Sequence, residues 1–252
     1  MVPRLYLPAL TAGARTAFLP GDEADHVRRV LRAKVGSAVR VFDGRGSERE
    51  ARVAALGRQA VEVELGDAVM PAAECRVRVT LAQAVLKGDK TDAVVRDAVM
   101  MGVAAVQPLL TARADVPAAA FERGARLERW RRVAVASVKQ CGRAVVPEIA
   151  PPRTLQECVA GCLCEANVIL VEPSAAAVEA GRADVPAAPS SALVLVGPEG
   201  GWSREEVEAA VAAGCVPMTL GPRTLRADTA AIVALSVLLY QWGEMSRPVA
   251  GG

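Results

Sequence analysis

The run Leu193-Val194-Leu195-Val196 is aliphatic at every position and stops at Gly197-Pro198-Glu199-Gly200-Gly201. A strand with one wet face alternates apolar and polar residues. A run with no polar position therefore predicts a strand covered on both faces, as where helices flank a parallel sheet. Val168-Ile169-Leu170-Val171 has the same character and ends at Glu172-Pro173, and a shorter run from Pro217 to Leu220 leads into Gly221-Pro222-Arg223. Ligands of open parallel sheets bind beyond the carboxyl ends of the strands, where loops converge and helix N-termini present free N–H groups. The working site is thus expected at three loops: Val171-Glu172-Pro173, Gly197 to Gly201, and Leu220 to Arg226. Gly200-Gly201 lets a ligand approach the backbone, while Pro198 and Pro222 stiffen their turns. Ordinary turn formation would explain one Gly-Pro pair. Two in parallel positions, each with a charge in reach, point to function, and Glu199 has no evident role in the fold.

The flanking text supports an α/β class. Val77 to Leu86 reads as a strand, Asp89 to Met101 as an amphipathic helix closed by Gly102, and Val103 to Leu110 as the next strand, which together make a βαβ unit. In a helix over Arg126 to Cys141, residues Leu127, Trp130, Ala134, Val138 and Cys141 form an inward stripe. Ser203 and Glu206 have capping-box spacing, Gly214 ends the helix they start, and Thr229 to Trp242 is the final helix. Before residue 67 the pattern differs: Val39 to Phe42, Val53 to Leu56 and Val61 to Leu65 are short runs parted by Gly-centred turns, as in a small antiparallel sheet or barrel. The stretch 67–74, with Pro71, reads as the connection. Domains are expected at 1–70 and 77–252, with a linker at 71–76.

Composition removes several classes. Aromatic residues make up only 3% against 52% hydrophobic, which favours small aliphatic side chains packed between layers over a β-sandwich. Pro3, Arg4 and Pro8 interrupt the first apolar stretch and no later run is long enough to span a membrane, so a cytoplasmic protein is expected. Reduced thiols are then expected for the six cysteines. Cys158, Cys162 and Cys164 cluster without a convincing fourth ligand, so they read as small apolar residues of a helix, and no metal is expected. No G-x-G-x-x-G follows a strand and no G-x-x-x-x-G-K-[ST] is present, which removes dinucleotide and P-loop readings. The lone His26 removes the common zinc hydrolase motifs and a His-based triad in the C-terminal domain.

Net charge is only +2, but basic residues are grouped. Arg28, Arg29, Arg32 and Lys34 form one cluster. Arg123, Arg126, Arg129, Arg131, Arg132, Lys139 and Arg143 form another, against only Glu122 and Glu128. Such runs are usually solvated faces, and by themselves do not establish nucleic-acid binding.

Leu195-Val196-Gly197-Pro198-Glu199-Gly200-Gly201-Trp202-Ser203, together with Leu220-Gly221-Pro222-Arg223-Thr224-Leu225-Arg226-Ala227-Asp228-Thr229-Ala230, resembles the paired signature of the RsmE-type 16S ribosomal RNA (uracil-N3)-methyltransferases of the SPOUT superfamily. The likeness extends through His26-Val27-Arg28-Arg29-Val30-Leu31-Arg32, Lys87-Gly88-Asp89-Lys90, Gln140-Cys141-Gly142-Arg143 and Val146-Pro147-Glu148, in the family's order. The resemblance implies a PUA-like N-terminal β-barrel, a C-terminal SPOUT α/β domain with a trefoil knot, S-adenosylmethionine as cofactor, and a homodimer through the knotted domain. The implied partner is 16S ribosomal RNA, within the small subunit. It places the cofactor on Val171, Glu172, Pro173, Val196, Gly197, Glu199, Gly200, Gly201, Leu220, Gly221, Pro222, Leu225, Arg226 and Thr229. RNA contacts are implied at Arg4, His26, Arg29, Arg32, Lys87, Lys90, Arg132 and Arg143.

Methylation of uracil N3 needs loss of a weakly acidic N–H and in-line approach to a sulfonium methyl, so most of the work is positioning. Arg226 is expected to stabilise developing charge on the uracil, and Glu199 or Asp228 to accept the proton if desolvation raises its pKa. The family more often has Glu where this chain has Asp228, and often an acid where it has Lys139. Two rivals stand beside this reading: an RNA-binding or assembly protein that keeps the fold without the transfer, and a knotted methyltransferase with another RNA target.

Overall fold

The computed structural model describes residues 2–58, 60–121, 124–161, 164–173, 185–187 and 189–245. The chain divides into two compact units, one of residues 1–74 and 135–146, the other of residues 75–134 and 147–252.

The first unit holds strands β1 (Arg4–Tyr6), β2 (Thr16–Phe18), β3 (Ala38–Phe42), β4 (Glu48–Leu56) and β5 (Val61–Val69) in the order β1-β3-β4-β5-β2. All neighbours are antiparallel except β1 and β3. The period-two pattern is plain in β5, where Val61, Val63 and Leu65 are buried and Glu62 and Glu64 point away. With Leu5, Leu7, Val39, Val41 and Val53 they form one core, closed by Ala24 of helix α1 (Gly21–Asp25) and Val27 of the π-helical turn that follows. The stretch from residue 67, expected as connection, begins as strand: Asp67 to Val69 extend β5, because Ala68 and Val69 still pair with β4.

Residues 135–146, which the sequence pattern groups with the second domain, cluster with this first unit. Charge pairs hold them there. Lys139 Nζ lies 2.7 and 2.8 Å from the two carboxylate oxygens of Glu23, itself buried. Arg143 is buried and makes a bidentate pair with Glu74. Arg4 pairs with Glu48 and donates to the carbonyls of Val138, Lys139 and Arg143. A cation at position 139 therefore has a structural cause: it neutralises a carboxylate that burial would otherwise penalise.

The second unit is a wholly parallel sheet. Strands β6 (Arg78–Ala84), β7 (Ala105–Leu110), β8 (Glu148–Ile149), β9 (Arg153–Thr154), β10 (Ala166–Leu170), β11 (Ser191–Val196) and β12 (Val216–Met218) take the order β12-β10-β11-β6-β7-β8, with β9 also on β7. The βαβ unit is present, with helix α2 (Lys90–Met100) between β6 and β7. Helix α3 (Ala125–Cys141) follows, and the buried Trp130 donates to Asp92 at 2.8 Å. Helices α4 (Leu155–Gly161) and α5 (Arg204–Ala212) share a core with Leu193 and Leu195 of β11, while α6 (Ala227–Gln241) packs on α2 and β11. Successive residues of β11 point to opposite faces and both faces are covered, which is why none of Ala192 to Val196 is polar. Cys158 is buried in α4 and Cys164 lies beyond its end, whereas Cys162 falls outside the described residues. Among the described residues no helix is long and apolar enough to cross a membrane.

Candidate active site

The carboxyl ends of β10, β11 and β12 open into one cleft of about 1140 Å³. Leu170 to Pro173 form one wall, Val196 to Arg204 a second, and Met218, Leu220 and Arg223 to Ala227 the third. The three loops expected from the strand pattern are thus brought together.

The shape of the second wall follows from its glycines and one indole. A Cβ on Gly197 would lie 3.1 Å from the Trp202 ring, and Trp202 Nε1 donates to the carbonyl of Leu170 at 2.8 Å. The loop after β11 is thereby folded against the end of β10, and a side chain at position 197 would have to push the ring aside by a few tenths of an ångström. A Cβ on Gly200 would meet the backbone oxygen of Arg113 at 3.1 Å, so the loop after β7 presses on the same segment. Glu206 locks that contact: its buried carboxylate accepts from Ala112 N at 2.9 Å and Ser203 N at 2.8 Å, which completes the expected capping box.

Glu199 projects into the cleft, where its Oε1 accepts from Lys90 Nζ at 2.9 Å and more weakly from the Lys87 backbone N–H at 3.4 Å. Burial pushes the Glu199 carboxyl up. The hydrogen bond and charge of Lys90, with backbone N–H donors, outweigh it and leave the group below its ordinary value. Desolvation acts at this carboxylate in the expected direction, and Lys90 together with the backbone donors carries the net shift the other way. Arg226 lines the cleft at the N-cap of α6 and, among the described residues, enters no ion pair. Asp228, in the first turn of α6, does not line the cleft; its Oδ1 accepts from Thr229 N at 3.0 Å.

Of the residues expected at the cofactor, Gly221, Pro222 and Thr229 lie outside the cleft lining, while the other eleven form part of it. Lys90, expected at RNA, lines the cleft; Lys87 is exposed beside it. Arg4 and Arg143 are held in the pairs described above. His26 is half-buried, and Arg29, Arg32 and Arg132 are exposed. Much of the second basic cluster is neutralised locally, since Arg129 pairs with Asp92 and Arg131 with Glu128, while Arg123 falls outside the described residues. Arg113 and Trp202 were not singled out from sequence. Arg113 follows a parallel strand, so the strand-end rule would have found it. Trp202 is the one aromatic residue in a loop of small ones. Among the described residues no group of three or more His, Cys, Asp or Glu is placed to hold a metal.

Residues 73–239 match the family model for the RNA methyltransferase domain, and residues 19–66 that for the RNA methyltransferase PUA domain. The chain is 32% identical to the ribosomal RNA small subunit methyltransferase E of Synechocystis, over 88% of this chain and 72% of that protein. With its counterpart from Mycobacterium bovis it shares 31% identity over 94% and 92% of the two chains. The crystal structure of a ribosomal RNA small subunit methyltransferase E from Neisseria gonorrhoeae, bound to S-adenosylmethionine, is 30% identical; it superposes with a TM-score of 0.87 over 98% of this chain and 100% of that one. A PUA-like N-terminal unit and a parallel-sheet unit whose strand-end loops converge on one cleft agree with these matches along the whole chain: it belongs to the ribosomal RNA small subunit methyltransferase E family.

Proposed function

We propose that this chain transfers the methyl group of S-adenosylmethionine to N3 of a specific uridine in 16S ribosomal RNA, with the small subunit or its precursor as the particle that presents it. One observation carries the reading: three strand-end loops with close-fitting glycines converge on a single cleft that also holds Lys90, Glu199 and Arg226. The cofactor fits this cleft on physical grounds. A Cβ on Gly197 or Gly200 would crowd Trp202 or Arg113, and Gly201 has a left-handed φ, so the glycines let the loop after β11 fold tightly enough for its backbone to form the cleft wall. Val171, Val196, Leu220 and Leu225 supply apolar wall, and Glu172 lies beside Gly201 as an acid suited to a sulfonium or ribose hydroxyls. When bound, the cofactor supplies an electrophilic methyl.

The chain's own residues position the acceptor. N3 pairs in duplex RNA, so the uridine enters unpaired or flipped. Arg226 lines the cleft, enters no ion pair among the described residues, and serves the charge that develops on the uracil carbonyls. The exposed Arg29, Arg32, Lys87 and Arg132 serve the surrounding RNA; residues 1–70 act as an RNA-holding PUA-like barrel and residues 77–252 as the catalytic SPOUT domain. A trefoil knot in that domain, a homodimer formed through it, and a cytoplasmic location complete the reading and rest on family membership.

The test is incubation with labelled S-adenosylmethionine and small-subunit RNA or particles lacking the modification, followed by digestion. Label in 3-methyluridine is expected. Label only in another nucleoside overturns the target, and failure to bind S-adenosylmethionine by calorimetry favours an assembly protein without transfer.

A further inference from the structure

If N3 of uridine is the acceptor, as proposed above, the geometry of the reaction limits what a carboxylate can do. The N3–H bond that is lost and the N3–C bond that forms use the same in-plane lone pair and point the same way. A base on that line would stand in the path of the methyl. The proton therefore leaves before the donor carbon arrives, and the nucleophile is the uracil anion, its charge spread over N3, O2 and O4. Such a site needs positive charge beside the ring oxygens more than a base at N3.

Lys90 meets that need. It is the first residue of α2, where the positive end of the helix dipole disfavours a cation, so helix stability does not account for it. Its ammonium sits 2.9 Å from Glu199 and lines the cleft, with the side chain 39% exposed and so open to an incoming ring. Glu199 is already engaged as an ionised acceptor by Lys90 and the Lys87 N–H. Other charges face the cleft: Arg226 and Arg223 come from the loop after β12, and Glu172 from that after β10. Arg113 donates to the Gly200 carbonyl, and Arg204 is matched by Glu208.

We propose that Lys90 is a second cation, acting with Arg226, that stabilises the N3-deprotonated uracil, and that Glu199 holds the ammonium in place instead of taking the proton. In balance, N3–H is lost to water, N3 donates its lone pair to the methyl carbon, and the sulfur keeps the electron pair of the broken S–C bond. The products are 3-methyluridine and S-adenosylhomocysteine.

The test compares wild type, Lys90→Met and Lys90→Arg in single-turnover transfer across pH. Wild-type rate should rise with pH and level off. Removing a nearby opposite charge moves an ionisation by about one to three units, so Lys90→Met should lose about 10- to 1000-fold at neutral pH and recover as pH rises, while Lys90→Arg keeps most of the wild-type profile. A readout without turnover uses target RNA carrying 5-fluorouridine, bound with S-adenosylhomocysteine. The midpoint of its fluorine NMR titration should move up in Lys90→Met and stay in Lys90→Arg. A Lys90→Met rate equal to wild type, or reduced equally at all pH with an unmoved midpoint, overturns the proposal and leaves Lys90 as a support for Glu199. A wild-type enzyme that forms no 3-methyluridine instead overturns the function proposed above, so the two failures are distinct.

Discussion

Trp202 Nε1 donates to the Leu170 carbonyl at 2.8 Å, and this one bond ties the glycine-rich loop after β11 to the end of β10. Trp202→Phe keeps a ring against Gly197 but leaves a buried acceptor without its donor, a loss of about 1–3 kcal/mol. Trp202→Ala also opens a cavity and should cost about 3–5 kcal/mol. Denaturant unfolding reads both, and calorimetry should show weaker S-adenosylmethionine binding in each. Unchanged affinity in Trp202→Phe would remove the bond from its proposed role.

Gly197→Ala approaches the same contact from the other side. The new methyl would stand 3.1 Å from an indole that its own hydrogen bond holds in place. The ring must shift, at about 1–3 kcal/mol, and cofactor affinity should fall about tenfold, the equivalent of 1.4 kcal/mol. Crystals of the variant with an unmoved Trp202 and normal affinity would contradict this.

Arg226→Ala should lower the transfer rate by about 100- to 1000-fold, the usual effect of removing a donor aimed at developing charge. The side chain makes no cap to α6, so the melting temperature should stay at the wild-type value. Near-normal turnover would remove Arg226 from the site.

Acid should act on the cleft through Glu199. Its carboxyl lies below the ordinary 4.5, against the pull of burial, because of Lys90 and backbone donors. A depressed folded-state pKa contributes stability above the unfolded value and loses it as pH falls through the folded one. The hydrogen-exchange protection of the Lys87 amide should thus be flat through neutral pH and fall only in acid below the ordinary carboxylate range. In Glu199→Gln this acid limb should vanish; its persistence would assign it to another group.

Arg4→Met tests a structural role for a residue expected at RNA. Its side chain is 10% exposed and that of its partner Glu48 only 2%. Leaving Glu48 buried and unpaired should cost about 3–5 kcal/mol. Thermal unfolding should show that loss, with RNA affinity unchanged well below the melting temperature. Lost affinity in a variant that melts normally would return Arg4 to the RNA surface.

The parallel sheet and its cleft were legible because burial on both faces leaves a mark at every position of a strand, as in Leu193 to Val196, and because the capping box of Ser203 and Glu206 is written within four residues. The short strands β1, β8 and β9 were not, since two or three residues carry no period. The parallel pairing of β1 with β3 and the placement of 135–146 in the first unit have no local signature either.

Charge separates the two kinds of knowledge most clearly. The layered α/β class, the three strand-end loops and the residue types gathered in them are written along the chain. Which charges meet follows from the folded arrangement: Lys139 pairs with Glu23 across 116 positions and Lys90 with Glu199 across 109. Periodicity reports burial, which each residue experiences alone. A pairing is a distance between two elements, and with it came the sign of the Glu199 shift, opposite to what burial alone would give.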